Sequence, residues 1–188
     1  MLLRRTALAF CVLLLLSPGL CSAQAKRAPK RTPDIHWEPS EDPVVTAMLK
    51  LAGTKKSDVV YDLGCGDGRI VIAAAREFGA RGVGIDIDPQ RIDESNANAR
   101  KAGVTKMVTF REEDLFEANI SDANVVTLFL WPSVNMKLRP KLLKELKPGT
   151  RVVSHSHDMG DWEADKREVV EGARLLLWTI PARAGAGR

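Results

Sequence analysis

Two hydrophobic periods alternate along the chain from residue 42 onward. Short apolar runs, typical of buried strands, are separated by longer stretches in which apolar residues recur every three or four positions, as in amphipathic helices. Helices are predicted at residues 43–52, 68–78, 88–102 and 132–146. Strands are predicted at residues 58–62, 81–87, 108–112, 124–130, 150–155 and 174–180.

Helix boundaries are marked by Asp-Pro pairs and glycines. Asp42-Pro43 and Asp88-Pro89 each read as an N-cap followed by a first helical residue. Gly53, Gly79 and Gly103 follow the predicted helices as C-terminal stops. Strands that alternate with helices of this length predict a Rossmann-like α/β fold, with a mainly parallel sheet and helices on both faces.

The N-terminus has the pattern of a targeting segment. Arg4 and Arg5 precede an apolar run at residues 7–16, and small residues end in Ala-Gln-Ala at 23–25. The run is short for a spanning helix, which needs about 20 residues. We therefore favour a cleaved signal peptide, and hence export, over a retained inner-membrane anchor with a cytosolic domain. The anchor remains open because Lys and Arg residues follow the run directly.

Three regions result: a signal peptide or anchor at 1–25, a basic linker at 26–33 and a folded domain at 34–188. The 188 residues are 45% hydrophobic, which suits one globular domain. The net charge is +4, and four cations lie in the linker, so charge does not indicate a nucleic-acid partner. Cys65 is the one cysteine outside the N-terminal segment, which excludes an internal disulfide in the domain.

A glycine-rich turn follows the first predicted strand. Asp62 is followed by Gly64, Cys65, Gly66 and Gly68, and a helical pattern begins immediately afterwards. Glycines let the backbone bend sharply, and the helix start offers free N–H groups, so the turn is suited to a nucleotide-like ligand. Dinucleotide sites use G-x-G-x-x-G, whereas this spacing is G-x-G-x-G beside an acid. A carboxylate repels a pyrophosphate and suits an ammonium or sulfonium group, which favours S-adenosylmethionine (SAM) over NAD.

Two further strand ends carry carboxylates in the expected order. Asp86 ends the second strand, 18 residues after Gly68, where a carboxylate accepts hydrogen bonds from ribose hydroxyls. Asp114 follows the third strand and is a candidate acceptor for an adenine amine. Ile87 and Leu115 are then placed to sandwich the adenine ring.

The substrate side is predicted at Trp131 and Pro132, which follow the fourth strand opposite the turn. Trp131 offers an apolar wall and a cation–π face to a lysine, with plain packing under a helix as the alternative. His155 and His157 share one strand face, which is too few ligands for a metal site, and none is predicted. A substrate-side role for His155 or Asp158 stays open.

Residues 62–68, 84–86 and 113–115 resemble the first three motifs of class I SAM-dependent methyltransferases, and the likeness extends over about residues 34–181. Residues 61–71 and 146–154 resemble small bacterial methyltransferases, which are similar to the membrane-anchored protein-lysine methyltransferases of mitochondria. The resemblance implies methyl transfer from SAM to a nucleophile, most simply a protein lysine. It also implies that Pro39-Ser40 closes over the cofactor. The partner it implies is a protein substrate, at a membrane or elsewhere, rather than nucleic acid.

One departure from that family is predicted. Its members finish with two more strands, one of them antiparallel, whereas only one strand, at 174–180, is predicted here after residue 155. The sheet is therefore expected to be shortened at its C-terminal edge. This keeps a non-catalytic SAM-binding protein open as an alternative, with an NAD-dependent oxidoreductase disfavoured by the glycine spacing. The sequence predicts no oligomeric state.

Overall fold

The computed structural model describes residues 28–29, 31–34 and 36–182. The predicted signal peptide or anchor at 1–25 lies outside these residues. Within the described ranges, no helix combines the length and hydrophobicity needed to cross a bilayer.

The described part contains four helices and seven strands. They are α1 (Asp42–Leu51), β1 (Val59–Leu63), α2 (Arg69–Phe78), β2 (Arg81–Asp86), α3 (Pro89–Ala102), β3 (Val108–Glu112), β4 (Val125–Leu128), α4 (Pro132–Glu145), β5 (Arg151–His155), β6 (Lys166–Val170) and β7 (Ala173–Thr179). The strand order is β3-β2-β1-β4-β5-β7-β6. Strands β1 to β5 are parallel, and β7 is antiparallel to both β5 and β6. The predicted Rossmann-like fold is confirmed.

The predicted shortening of the sheet is wrong, because β6 completes it. Lys166–Val170 pairs with β7 alone and is almost entirely exposed. An edge strand of this kind buries no apolar face, so its Lys-Arg-Glu-Val-Val sequence lacks the hydrophobic pattern that reveals a buried strand. The shortened sheet therefore no longer counts in favour of a non-catalytic protein.

Helices cover both faces of the sheet, as β1 shows. All five residues of this strand are buried. Val60 packs in a core with α1 and α2, whereas Tyr61 and Leu63 pack in a second core with α4. Successive side chains of a strand point to opposite faces, so β1 is the apolar centre of a three-layer sandwich.

Most predicted boundaries agree with the structure to within one residue, and two of the differences change the interpretation. Asp88 caps α3 by accepting a hydrogen bond from the Gln90 amide at 2.8 Å. The N-cap of α1 is Glu41 rather than Asp42, which instead lies in the first helical turn, where its charge favours the helix dipole. Strand β4 ends at Leu128 rather than Leu130. The residues released from β4 therefore belong to a loop at the carboxyl edge of the sheet.

Candidate cofactor and substrate site

A cavity of about 400 Å³ opens at the carboxyl ends of the parallel strands. Its floor is formed by the loops that follow β1 to β4, where the strand order reverses between β1 and β4. Ligands of open α/β sheets bind at such a switch point. Its other side is formed by residues 31–34 and 36–40, which we call the roof segment. Eight predicted site residues line the cavity: Ser40, Asp62, Gly64, Cys65, Asp86, Ile87, Asp114 and Leu115.

The glycine turn has the predicted strand–turn–helix form. The amides of Gly64 and Cys65 both donate to the carbonyl of Ile85, at 2.8 and 3.0 Å. Gly64, Gly66 and Gly68 all have positive φ, at 85°, 53° and 80°, which side chains with a β-carbon rarely adopt. Gly66 and Gly68 shape the turn without lining the cavity themselves.

Helix α3 supports this turn through two side chains that sequence reasoning missed. The Ser95 hydroxyl, fully buried, donates to the Gly66 carbonyl at 2.7 Å. The Asn98 amide donates to the Asp67 carbonyl at 3.0 Å. The signal in the sequence is small, since Ser95 and Asn98 are simply two polar residues three positions apart on one helix face.

Asp86 holds two loops together. Its Oδ2 accepts from the Gly66 amide and its Oδ1 from the Asp88 amide, both at 2.9 Å. Burial raises the pKa of Asp86, and these amide donors oppose the rise. Each carboxylate oxygen has a further lone pair, so Asp86 retains the capacity to accept from ribose hydroxyls.

Asp62 is a buried carboxylate whose charge is stabilised by a single side-chain hydrogen bond. It is 3% exposed, and its Oδ1 accepts a hydrogen bond from the Thr127 hydroxyl at 2.8 Å. Burial raises the pKa of Asp62 to about 7; the charges of Asp86 and Asp67 add to the rise, and Thr127 opposes it. A cationic group in the cavity would favour the ionised form. Asp62 therefore fits an ammonium or sulfonium ligand.

Asp114 lies at the β3 end of the cavity and has an unexpected partner. Its Oδ1 accepts from the Phe116 amide at 2.9 Å, and its Oδ2 accepts from Arg31 Nε at 2.7 Å. The Arg31 guanidinium lowers the pKa of Asp114 and pairs with Asp34 as well. Arg31, placed by sequence in the basic linker, thus contacts the folded domain at the predicted adenine edge.

The other end of the roof segment is held at β5. The Ser40 hydroxyl lies 2.8 Å from His155 Nδ1, and both residues are buried. Arg69 Nη1 donates to the Ser40 carbonyl at 2.9 Å, while the rest of its guanidinium pairs with Asp67. Ser40 is therefore tied to Arg69, the first residue of α2, and the implied closure of Pro39-Ser40 over the cofactor stays a prediction.

The apolar wall of the cavity is Phe129 rather than Trp131. Phe129 and Leu130 line the cavity because β4 ends before them. Trp131 is the N-cap of α4 and is 57% exposed, and neither it nor the exposed Pro132 lines the cavity. The alternative that Trp131 packs under a helix is wrong. Both residues lie in the sequence between Leu130 and Val134, which line the cavity, and we call them the rim residues.

The His155 side chain is held by contacts within the site. Its ring stacks on Phe129 with the centroids 3.9 Å apart. Burial lowers the pKa of His155, and the nearby His157 lowers it further. Burial therefore favours the neutral imidazole. Among residues 28–29, 31–34 and 36–182, no group of three or more His, Cys, Asp or Glu side chains is placed to hold a metal ion.

These residues together fit SAM. A buried acid suits its cationic end, Asp86 and Asp114 are acceptors for its ribose and adenine, and Ile87 and Leu115 are apolar neighbours for the base.

Comparisons with known proteins agree with this geometry. The chain matches a family model described as the ANTKMT methyltransferase domain over residues 62–166. A protein-lysine N-methyltransferase of Saccharolobus islandicus (strain REY15A) is 47% identical over 140 residues, covering 74% of this chain and 86% of that protein. An adenine nucleotide translocase lysine N-methyltransferase of Mus musculus is 34% identical over 151 residues, covering 80% and 62%.

A solved structure is also similar. It is described as an RNA methyltransferase from Salinibacter ruber in complex with S-adenosyl-L-homocysteine (SAH). It is 57% identical, with a TM-score of 0.77, and the match covers 78% of this chain and 95% of that one.

Proposed function

This chain belongs to the ANTKMT methyltransferase family of class I SAM-dependent methyltransferases, and from that membership we propose that its acceptor is the side-chain amine of a protein lysine. When bound, SAM supplies a methyl group on a positively charged sulfur, already activated for direct displacement. The neutral amine would form an N–CH₃ bond as the C–S bond breaks, giving a methylammonium group and SAH. The one proton released overall is the proton that the lysine loses before it attacks.

The charge of the cavity carries this proposal. Among the described residues that line it, eight bear carboxylates and three bear guanidinium groups. The carboxylates are Asp34, Glu38, Asp62, Asp67, Asp86, Asp88, Glu113 and Asp114, and the guanidinium groups are Arg31, Arg69 and Arg91. All three arginines are paired with acids. An acidic cleft attracts a cationic side chain and repels a phosphate backbone.

Three carboxylates hold the cofactor in this proposal. Asp62 in its ionised form faces the cationic end of SAM, Asp86 accepts from the ribose, and Asp114 accepts from the adenine amine. The glycine turn fixes the position of Asp86, because the Gly66 amide donates to its carboxylate. The family match fixes the cofactor, and the position of each acid in the cavity supports its role.

The acceptor lysine has to lose its proton before it attacks. With a reference pKa near 10.4, deprotonation at pH 7 costs about 4–5 kcal/mol. Phe129 and Leu130 supply an apolar wall, and desolvation there lowers the pKa of an entering amine. Burial lowers the pKa of His155 and favours its neutral form, which adds no repelling charge. The remaining task of the protein is alignment, which alone supplies a large part of the rate of a two-substrate reaction.

An RNA acceptor is the second candidate, because the Salinibacter ruber structure is described as an RNA methyltransferase. Tritiated methyl transfer from SAM to the protein and RNA fractions of a cell extract separates the two. The proposal predicts label that proteinase K releases and RNase does not, and that appears as methyl-lysine after acid hydrolysis. Asp86→Ala is the control for enzyme-dependent label. Label that RNase alone releases would contradict the lysine proposal.

We further propose that the segment at 1–25 is a signal peptide that is cleaved after Ala25, so that the mature protein is exported. With the anchor retained instead, the acceptor would be a membrane-associated protein. The basic start and the Ala-Gln-Ala site support the signal peptide. N-terminal sequencing of the mature protein tests the cleavage. A mature chain that begins at Lys26 agrees with it, whereas an intact Met1 in the membrane fraction supports the retained anchor instead.

A further inference from the structure

Trp37 makes the central contact of the roof segment. A β-carbon at Gly66 would overlap the indole nitrogen and lie only 2.5 Å from Cδ1 of Trp37, so the indole rests directly on the glycine turn. The Arg91 guanidinium, from α3, lies 4.7 Å from the ring centroid. Both Trp37 and Arg91 line the cavity. The indole is therefore clamped between the turn and α3.

The roof segment reaches across the carboxyl ends of the parallel strands. Arg31 contacts Asp114 at the end of β3, and Ser40 contacts His155 on β5. Since β3 and β5 are the outer members of the five parallel strands, the segment lies over the mouth of the cavity between them.

The two ends are held with different strength. Ser40 and His155 are buried, and the Ser40 carbonyl accepts a further bond from Arg69. The Arg31 side chain is 37% exposed, and an exposed ion pair contributes little and is screened by salt. The Ser40 end is thus held more firmly than the Arg31 end, and the Trp37 clamp lies between the two.

We propose that Trp37 is a positioning residue for the cofactor. By packing on Gly66 it fixes the amide that hydrogen-bonds Asp86, and by holding the roof segment down it retains the bound cofactor. Release of the indole then sets the rate at which SAH leaves. Glycine is needed at position 66 for two reasons: a β-carbon there would overlap this indole, and the residue has a positive φ. The inference rests on the methyltransferase site proposed above and is independent of which acceptor is used.

The first test measures dissociation of tritiated SAH from the full-length protein by a chase with unlabelled SAH. Trp37→Ala is expected to release SAH roughly 3- to 30-fold faster than the wild type, the range for a lost cation–π and aromatic contact. Trp37→Phe retains a ring and is expected to stay within about threefold. The methyl-transfer rate at saturating SAM should change less than the SAM KM. Thermal melts of the unliganded variants confirm that each one folds.

The second test is a double-mutant cycle with Gly66→Ala. Alone, this change displaces the indole, so it should accelerate SAH release much as Trp37→Ala does. In the Trp37→Ala background it should add only the effect of the backbone strain at its positive φ, which is smaller than its effect in the wild type. Gly64→Ala is the matched control, since Gly64 has positive φ in the same turn and its added β-carbon would meet Leu130 rather than Trp37. Its effect should add to that of Trp37→Ala.

Two outcomes overturn the proposal: SAH release from Trp37→Ala within twofold of the wild type, or a Gly66→Ala effect that is fully additive with Trp37→Ala. Failure of SAH to bind the wild type is a separate result, which would contradict the assignment of the site and this inference with it.

Discussion

Asp62 and Thr127 lie directly opposite each other on β1 and β4, and the Thr127 hydroxyl donates to the Asp62 carboxylate at 2.8 Å. One neutral donor compensates a buried charge poorly, which is why burial raises the pKa of Asp62 to about 7. Asp62 lines the cavity, where its carboxylate can face a cationic ligand. This pair therefore couples protonation of the site to cofactor binding near neutral pH.

The first prediction concerns the pH dependence of SAM affinity. A cation prefers the ionised Asp62, so affinity should be constant above about pH 7.5 and fall as the pH drops through 7. Below that pKa the fall approaches tenfold per pH unit, because each binding event then displaces one proton. Isothermal titration between pH 6 and 8 measures this. Asp62→Asn should bind weakly with little slope, and an equally steep slope in that variant would assign the proton to another group.

The second prediction concerns the stability of the unliganded protein. The folded pKa of Asp62, about 7, lies above its unfolded value of 3.8, so the folded state takes up a proton between these pH values. The Asp62 contribution to stability therefore falls as the pH rises from about 4 to 7, and stays low above pH 7. Asp62→Asn removes the buried charge and keeps an acceptor for Thr127, so it should stabilise the protein at pH 8 by roughly 1–3 kcal/mol.

Urea denaturation at pH 8 and pH 5 checks this gain, which should shrink at the lower pH. The matched control is Asp161→Asn, an exposed carboxylate paired with Arg139, for which no stabilisation is expected. A loss of stability in Asp62→Asn at pH 8 would contradict the assigned pKa.

The third prediction concerns the support of the glycine turn by α3. Ser95→Ala leaves the buried Gly66 carbonyl without its side-chain donor, which should cost about 1–3 kcal/mol of stability and weaken SAH binding. Asn98→Ala, at a less buried position, should cost less. Denaturation and SAH titration of both variants make the comparison. Unchanged SAH affinity in Ser95→Ala would show that the turn does not need this donor.

The fourth prediction separates the wall of the cavity from its rim. Phe129→Ala should lower the rate of methyl transfer and disturb His155, on which the ring stacks. Trp131→Ala should leave SAH affinity unchanged and raise the KM for the protein acceptor, because this exposed indole lies outside the cofactor cavity. Steady-state kinetics with SAM and acceptor varied in turn distinguish the two. A changed SAH affinity in Trp131→Ala would place the indole in the cofactor site instead.

Much of the fold followed from the sequence, because its buried strands and capped helices carry strong periodic signals. The edge strand β6 was missed since an exposed strand has no apolar face to detect. In the site, the acids at strand ends were found because parallel strands bring their carboxyl ends to one edge of the sheet.

The remaining site residues depend on contacts between distant segments. The site is completed by Trp37 and Arg31 from the roof segment and by Ser95 from α3. Contacts between segments so far apart leave no local pattern in the sequence from which they could be predicted. Phe129 was passed over in favour of Trp131 because the end of β4 was placed two residues too late.

Calorimetric titration of the full-length protein with SAM tests the central claim most directly. Wild type should bind SAM, and Asp86→Ala, which loses both the ribose acceptor and the partner of the Gly66 amide, should bind at least about tenfold more weakly while remaining folded. No binding to the wild type, or equal affinity in Asp86→Ala, would contradict a cofactor site at the ends of β1 and β2.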